Sequence, residues 1–183
     1  MAVLTANYIR RGKLGNPRAK DAIRYMQHRP GHDGARITRP LFGVDGVQGR
    51  QDGYRMIDEA PAGTHFYRMS LDPDPKTEDV QKDLDLRELT VRTIQTLSEI
   101  VEAPVYYLAA VHADHAPHRH VYLLASVKRR LNTPEIKQLK AAATQACLEQ
   151  REELDRESVN QTQARGGEGL DLEPEWEEDV WAF

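Results

Sequence analysis

The sequence predicts an α+β fold with a central antiparallel β-sheet and flanking helices. Two apolar runs, APVYYLAAVH (103–112) and RHVYLLASVKRR (119–130), are separated by only six residues, 113–118, which suffice for a hairpin. Two long segments with apolar residues at helical spacing, 76–101 and 133–157, precede and follow this hairpin. Because an apolar sheet face has to be covered, the order β-α-β-α-β-β-α predicts one domain with both long helices on one face.

The first elements follow from their start and stop signals. A strand around Tyr8 is followed by GNPRAKDAIRYMQHRPG (15–31), which predicts a short helix. Asn16 can cap this helix, Pro17 suits its first turn, and Pro30-Gly31 ends it.

Turn-forming residues divide the middle of the chain. The glycine-rich, basic segment 32–54 is predicted to be a loop with one short strand at 37–44. A strand that starts at Thr64 ends at the Asp-Pro-Asp-Pro breaker, 72–75, and Thr133-Pro134 opens the last helix.

The chain length of 183 residues fits one domain, which we place at 1–160. The last twenty residues hold seven acidic residues and one arginine, so 161–183 is predicted to be an acidic, flexible tail. No run of about 18 apolar residues exists, so no membrane span is expected. A single Cys147 and the absence of a secretory signal predict a cytoplasmic protein.

Charge is unevenly distributed along the chain. Residues 1–55 carry eleven Lys/Arg and four Asp/Glu, whereas the rest carries fourteen and twenty-five, for a net charge of −4. This segregation indicates a phosphate-facing N-terminal region on an acidic body, although a chance imbalance on solvated surfaces explains it equally well.

The histidines are concentrated in one segment, VHADHAPHRH (111–120), which holds four of the seven. His118 and His120 are two residues apart and therefore project to one face of a strand, and the hairpin brings His112 beside them. Three imidazoles from two strands predict a divalent metal site with open positions for substrate oxygens. Asp114 could accept an N–H from a ligand histidine, and His115 is predicted to be a loop residue or a DNA contact.

The stretch YYLAAVHADHAPHRHVYLLAS (106–126) resembles the histidine motif of the HUH endonucleases, in particular the relaxases of plasmid mobilization and conjugation. The matching region spans 105–125. PRAKDAIRYMQHR (17–29) resembles their N-terminal tyrosine motif, and HFYRMSLDPD (65–74) is similar to their middle strand motif, with Ser70 at its polar position as a candidate helper. The resemblance implies the palm-like HUH fold for the nuclease domain.

The resemblance assigns the catalytic nucleophile to Tyr25. No tyrosine follows Tyr122, which lies inside a strand, so only an upstream tyrosine is available, as in relaxases. Tyr25 lies on a short helix rich in basic residues, where a scissile phosphate would be attracted. The alternative is that Tyr25 is a core aromatic residue of an amphipathic helix. The family's acidic helper residue remains open between Asp72, Asp74 and Asp114.

Single-stranded DNA needs cationic contacts and stacking surfaces. The predicted DNA-binding residues are Arg18, Arg24, Arg29, Arg36 and Arg39. The segment 29–55 adds Arg50, Arg55, Phe42 and Tyr54, although a surface loop of no such role would have the same composition.

The resemblance implies a metal-dependent, site-specific endonuclease that nicks and rejoins single-stranded DNA through a 5′-phosphotyrosine, for plasmid or mobile-element transfer. It implies Mg²⁺ or Mn²⁺ as cofactor, a transfer origin as substrate and an accessory mobilization protein as partner. Two alternatives stay open: a metal phosphoesterase that uses water, and a non-catalytic DNA-binding module of the same fold.

Overall fold

The computed structural model describes residues 3–31, 33–35, 37–114 and 118–167. In chain order its elements are β1 (Val3–Arg10), α1 (Gly15–His28), β2 (Leu41–Gly43), β3 (Gly46–Gln48), α2 (Arg50–Glu59), β4 (His65–Asp72), α3 (Leu86–Val101), β5 (Tyr106–His112), β6 (His120–Val127) and α4 (Thr133–Gly167). The chain is therefore α+β, as the sequence predicts.

All six strands form one open sheet in the order β1-β4-β6-β5-β2-β3, and every neighbouring pair is antiparallel. The predicted hairpin of β5 and β6 is confirmed, with His112 directly opposite His120. Because β6 pairs with β4 on its other side, the histidine strand lies in the middle of the sheet.

Helices cover both faces of this sheet. On one face, α1 and α2 form a core with Phe66, Leu108 and Leu124 of the sheet. The intervening residues of the central strands point to the other face, and most of them are buried, among them Met69 and Leu123. Helix α3 packs on β5 and β6, and α4 lies beside α3, with the Gln150 amide oxygen accepting from the Asp85 N–H at 2.7 Å.

Helix α2 was not predicted, because its segment is rich in glycine. The structure explains the glycine at position 53: a Cβ there would lie 2.6 Å from Ile23 Cδ1 and 2.7 Å from Leu108 Cδ2. Gly53 therefore lets α2 approach α1 and the sheet closely, and this contact outweighs the low helix propensity of glycine. Asp52 completes the helix start by accepting from the Gly49 N–H at 2.8 Å.

Helix α3 is shorter than predicted. The sequence places its start at residue 76, but residues 76–85 form turns and the helix begins at Leu86. The Asp85 carboxylate accepts from the N–H groups of Arg87 and Glu88, which fixes this start as an N-cap. Val80, which appeared to extend the apolar stripe, is exposed.

The chain contacts separate two units, Met1–Arg151 and Glu152–Phe183. The first holds the sheet, α1 to α3 and the beginning of α4; of the second, the structure describes residues 152–167, the end of α4. Residues 161–167, which the sequence assigns to the acidic tail, are thus helical, and 168–183 lie outside the described residues. Among the described helices, none has a stretch long and apolar enough to cross a membrane.

Candidate functional site

Three neighbouring strands bring the polar residues of the site together on the sheet face that α1 and α2 partly cover. β5 ends at His112, β6 begins at His120, and β4 ends at Asp72, next to the pair Leu71 and Val121. Residues opposite each other in an antiparallel pair share a face, and so do alternate residues of one strand. Asp72, His112 and His120 therefore point to the same side, at the same end of the sheet.

Asp72, His118 and His120 form a group that could hold a metal ion. Each offers one ligand atom, and these atoms all lie within 4.8 Å of one another. The Nε2 atom of His118 is 3.9 Å from Oδ1 of Asp72, and the rings of His118 and His120 have their centroids 5.7 Å apart. Two of the three predicted histidine ligands are thus joined by a carboxylate that the sequence left open among three candidates.

His112, the third predicted ligand, lies beside this group in a different arrangement. Its ring stacks on that of His120, with centroids 5.3 Å apart and an interplanar angle of 24°. Its role as a ligand stays a prediction, since the group of ligand atoms that lie within 4.8 Å of one another does not include His112.

The two stacked imidazoles are buried without the hydrogen bonds that buried polar groups normally make. His112 is 0% and His120 3% exposed, and neither ring has a hydrogen-bond partner of normal geometry in the described part of the chain. Burial lowers the pKa of His112 to about 4, with smaller contributions from the charges of Arg39 and His120, and burial also lowers the pKa of His120. Both rings are therefore neutral at pH 7 and have a nitrogen lone pair that a metal ion can use.

Ser70 is hydrogen bonded to the carboxylate of the candidate metal group. It lies two residues before Asp72 on the same face of β4, and its hydroxyl donates a hydrogen bond to Asp72 Oδ2. Hydrogen bonds of this kind hold a ligating carboxylate in one orientation. The predicted helper therefore contacts Asp72, the carboxylate of the candidate metal group.

Tyr25 lies at this site but does not contact the imidazoles. It is 47% exposed, and its ring meets that of Tyr122 edge-on at a centroid distance of 5.8 Å. Tyr122 in turn packs edge-on against His112 at 5.0 Å and against His120 at 4.9 Å. Tyr122 is thus the ring between the predicted nucleophile and the candidate metal group.

Arg29 holds the two tyrosines together. Its guanidinium carbon lies 5.4 Å from the centre of the Tyr25 ring and 5.7 Å from that of Tyr122. One guanidinium nitrogen also donates to the Tyr122 hydroxyl at 3.1 Å. Of the predicted DNA-binding residues, Arg29 is the one whose guanidinium packs on the ring of Tyr25.

The other predicted DNA-binding arginines have different surroundings. Arg18 is exposed on α1, and Arg24 is exposed and paired with Asp21. Arg36 lies outside the described residues, as do His115 and Pro117 of the histidine loop.

Arg39 is buried and its guanidinium is fully engaged within the chain, so its predicted contact with DNA stays a prediction. It is 4% exposed, and its guanidinium donates to both carboxylate oxygens of Asp114 at 2.7 and 2.8 Å and to the carbonyl of Arg29 at 2.8 Å. Its N–H donates to the Gln27 carbonyl at 2.9 Å. Arg39 therefore connects the end of α1 to Asp114, which lies two residues after β5.

The same contacts define the position of Asp114, a predicted catalytic residue. Both of its oxygens accept from Arg39, and no histidine of the described residues donates to it. Partial burial opposes ionisation, but the hydrogen bonds and charge of Arg39 lower the pKa of Asp114, so that it is a carboxylate at neutral pH. Arg39 thus fixes the position of Asp114, which accepts no hydrogen bond from an imidazole of the described residues.

We expect Arg39→Met to lower the free energy of unfolding by about 3 kcal/mol, because it leaves Asp114 and the Arg29 carbonyl without their donor. Urea unfolding followed by circular dichroism measures the loss. Arg55→Met is the matched control. Arg55 is exposed on α2 and forms a long i,i+3 ion pair of 3.6 Å with Asp52, so its loss should change the free energy of unfolding by less than about 0.5 kcal/mol. Equal stabilities of the two variants would contradict the assigned role of Arg39.

No protein-family model matches the chain, and a search of the curated proteins finds no match.

Proposed function

We propose that the protein is a metal-dependent endonuclease that nicks and rejoins single-stranded DNA, with Tyr25 as the nucleophile. The observation that carries this proposal is the group of Asp72, His118 and His120, whose ligand atoms lie within 4.8 Å of one another on the same sheet face as the tyrosine pair. The resemblance of the histidine and tyrosine motifs to relaxases supports the same function.

The donor set fits a divalent cation that binds phosphate. A carboxylate and two imidazoles leave coordination positions open, and carboxylate and water ligands suit Mg²⁺ and Mn²⁺. Such an ion, when bound, supplies positive charge to the non-bridging oxygens of a scissile phosphate. The unpartnered nitrogens of His120 are the structural reason to expect an ion here.

The residues of the chain supply the remaining parts of the reaction. The Tyr25 hydroxyl gives its proton to solvent and its oxygen attacks phosphorus, so that a tyrosine–phosphate bond forms as the bond to the 3′ oxygen breaks and that oxygen takes up a proton from solvent. The products are a 5′-phosphotyrosine and a free 3′-hydroxyl, and the reverse attack of that hydroxyl rejoins the strand. Arg29, which lies against the Tyr25 ring, is placed to hold the negative charge of the phosphate.

In this proposal the substrate is single-stranded DNA at a transfer origin of a plasmid or mobile element. The protein acts in the cytoplasm, with an accessory mobilization protein that brings it to the origin. The excess of positive charge in residues 1–55 supports contact between this part of the chain and DNA.

The test uses 3′-labelled single-stranded oligonucleotides from the DNA that neighbours the coding sequence, incubated with the protein and Mn²⁺. A labelled band that migrates slowly on a denaturing gel, and whose tryptic peptide carries the added mass on Tyr25, is the expected result. Absence of cleavage in a protein that still binds the oligonucleotides would favour a DNA-binding module of the same fold.

One observation favours a second candidate function, a metal phosphoesterase that uses water. Tyr122 lies between Tyr25 and the imidazoles, so the described arrangement does not bring the Tyr25 ring against the candidate metal group. In the same assay this enzyme would cut the oligonucleotide and release two free fragments, with no protein attached to either.

A further inference from the structure

A cleft opens beside Tyr25, and Tyr122 and Ser70 also line it. Its volume is about 230 Å³, and it lies between α1 and the surface of β1 and β4. Small-molecule sites commonly measure about 300–1,000 Å³, so this space suits a ligand of the size of one nucleobase better than a larger cofactor.

Four polar side chains form the floor of the cleft. Asn7 of β1 lies directly opposite Arg68 of β4, and Thr5 lies opposite Ser70, so all four share one sheet face. Thr5, Asn7 and Arg68 are exposed and make no side-chain hydrogen bond or ion pair with any other described residue. Their donors and acceptors are therefore free to bind a ligand.

The walls of the cleft are apolar and aromatic. Ala22 and Met26 of α1 form one side, and Tyr25 and Tyr122 form the end nearest the metal group. An apolar wall above a few convergent polar groups is the usual composition of a site for a flat, hydrogen-bonding ligand.

The cleft lies within one nucleotide of the candidate metal group. Ser70 and Arg68 precede Asp72 by two and four residues on the same face of β4. At about 3.3 Å per residue, the floor is therefore roughly 7 to 13 Å from Asp72 along the strand. A base in the cleft would belong to a nucleotide that flanks the phosphate held near Tyr25.

We propose that this cleft binds one purine base of single-stranded DNA next to the scissile phosphate, an inference that rests on the proposed function. The Arg68 guanidinium donates two parallel hydrogen bonds, which match O6 and N7 of guanine, and the Asn7 amide lies beside it on the neighbouring strand. The cleft thus selects guanine at one position and gives the nicking reaction part of its sequence specificity.

The experiment is a binding selection from single-stranded oligonucleotides with twelve randomised positions, using the full chain in EDTA so that binding is measured without cleavage. We expect the selected pool to carry guanine at one position. Replacing this guanine by a pyrimidine should weaken binding about tenfold or more for the wild type and less than about twofold for Arg68→Ala. Asn7→Ala should give an intermediate loss of preference.

Arg55→Ala is the matched control, because it removes the same charge from an exposed position of α2 outside the cleft. It should keep the full preference for guanine even where total affinity falls. Arg68 and Asn7 are exposed, so their variants should unfold at the temperature of the wild type, which is checked in parallel.

The proposal is overturned if the protein retains no DNA, if no position shows a base preference, or if Arg68→Ala keeps the preference of the wild type. The adduct assay with Mn²⁺ separates this failure from that of the proposed function. An adduct without base preference leaves the nicking reaction in place and removes the base site. A guanine preference without adduct would leave the base site in place and would contradict the nicking reaction.

Discussion

Tyr25→Phe is expected to abolish the covalent protein–DNA adduct, with a loss of at least about three orders of magnitude in the rate of its formation. The substitution removes the one oxygen that attacks phosphorus and keeps the ring, its edge-on contact with Tyr122 and its contact with Arg29. Because Tyr25 is half exposed, the variant should fold as the wild type does and bind single-stranded DNA with similar affinity. Single-turnover assays on denaturing gels measure the rate, and fluorescence anisotropy measures the binding.

Tyr122→Phe is the matched control, since it removes a hydroxyl from the neighbouring ring of the same cleft. That hydroxyl accepts from Arg29, so its loss should slow adduct formation by no more than about tenfold through a less well-held arginine. The opposite pattern, with the adduct retained in Tyr25→Phe and lost in Tyr122→Phe, would make Tyr122 the nucleophile and would bring the reaction into direct contact with the imidazoles.

The sequence predicts those parts of the site that local spacing determines. The pairing of His112 with His120 follows from a short connection between two apolar strands. His118 was predicted to belong to the same strand as His120, but it lies just before β6, and its ring lies 5.7 Å from that of His120. The bounds of helix α1 are close to the predicted ones, but its N-cap is Leu14 and not Asn16. Asn16 lies in the first turn, where its side-chain oxygen accepts from the Gly12 N–H at 3.0 Å.

Contacts between distant segments decide the rest. The ion pair of Arg39 and Asp114 joins residues 75 positions apart, and no local pattern distinguishes this arginine from the others in the same basic stretch. Asp72 reaches the histidines because of the register between β4 and β6, which is a property of the sheet and not of either strand alone. Alternation along β4 does place Ser70 and Asp72 on one face, and this was the signal that could have favoured Asp72 over Asp74 and Asp114.

Tyr122 contacts both the predicted nucleophile and the imidazoles, which the sequence predicts as two separate groups. It contacts both imidazoles and the Tyr25 ring, and it is hydrogen bonded to Arg29. A movement of Tyr122 would therefore change the distance between nucleophile and metal group as well as the position of Arg29. The palm-like relaxase fold stays a prediction. In the described arrangement Tyr25 contacts Tyr122, and Tyr122, not Tyr25, contacts His120 of the candidate metal group.

Binding of Mn²⁺ to the EDTA-treated protein should raise its unfolding midpoint by roughly 5–10 °C at a metal concentration about a hundred times the dissociation constant. Asp72→Asn or His120→Ala should remove nearly all of this increase, because each takes away a ligand atom of the group. Ser70→Ala should weaken binding by about tenfold, since it removes only the hydrogen bond that orients Asp72. Asp45→Asn, at an exposed turn position, should leave the increase unchanged.

His112→Ala decides which ligand set is correct, and it does so even if the variant is less stable, because each variant is compared with itself in EDTA. If Asp72, His118 and His120 form the site as the structure places them, the metal-dependent increase in the midpoint should persist in His112→Ala. Burial lowers the pKa of His120, so this ring is neutral at pH 7 and does not have to lose a proton before it binds a cation. Loss of the increase in His112→Ala, with retention in Asp72→Asn, would instead mean that the stacked ring turns on metal binding and that three histidines hold the ion.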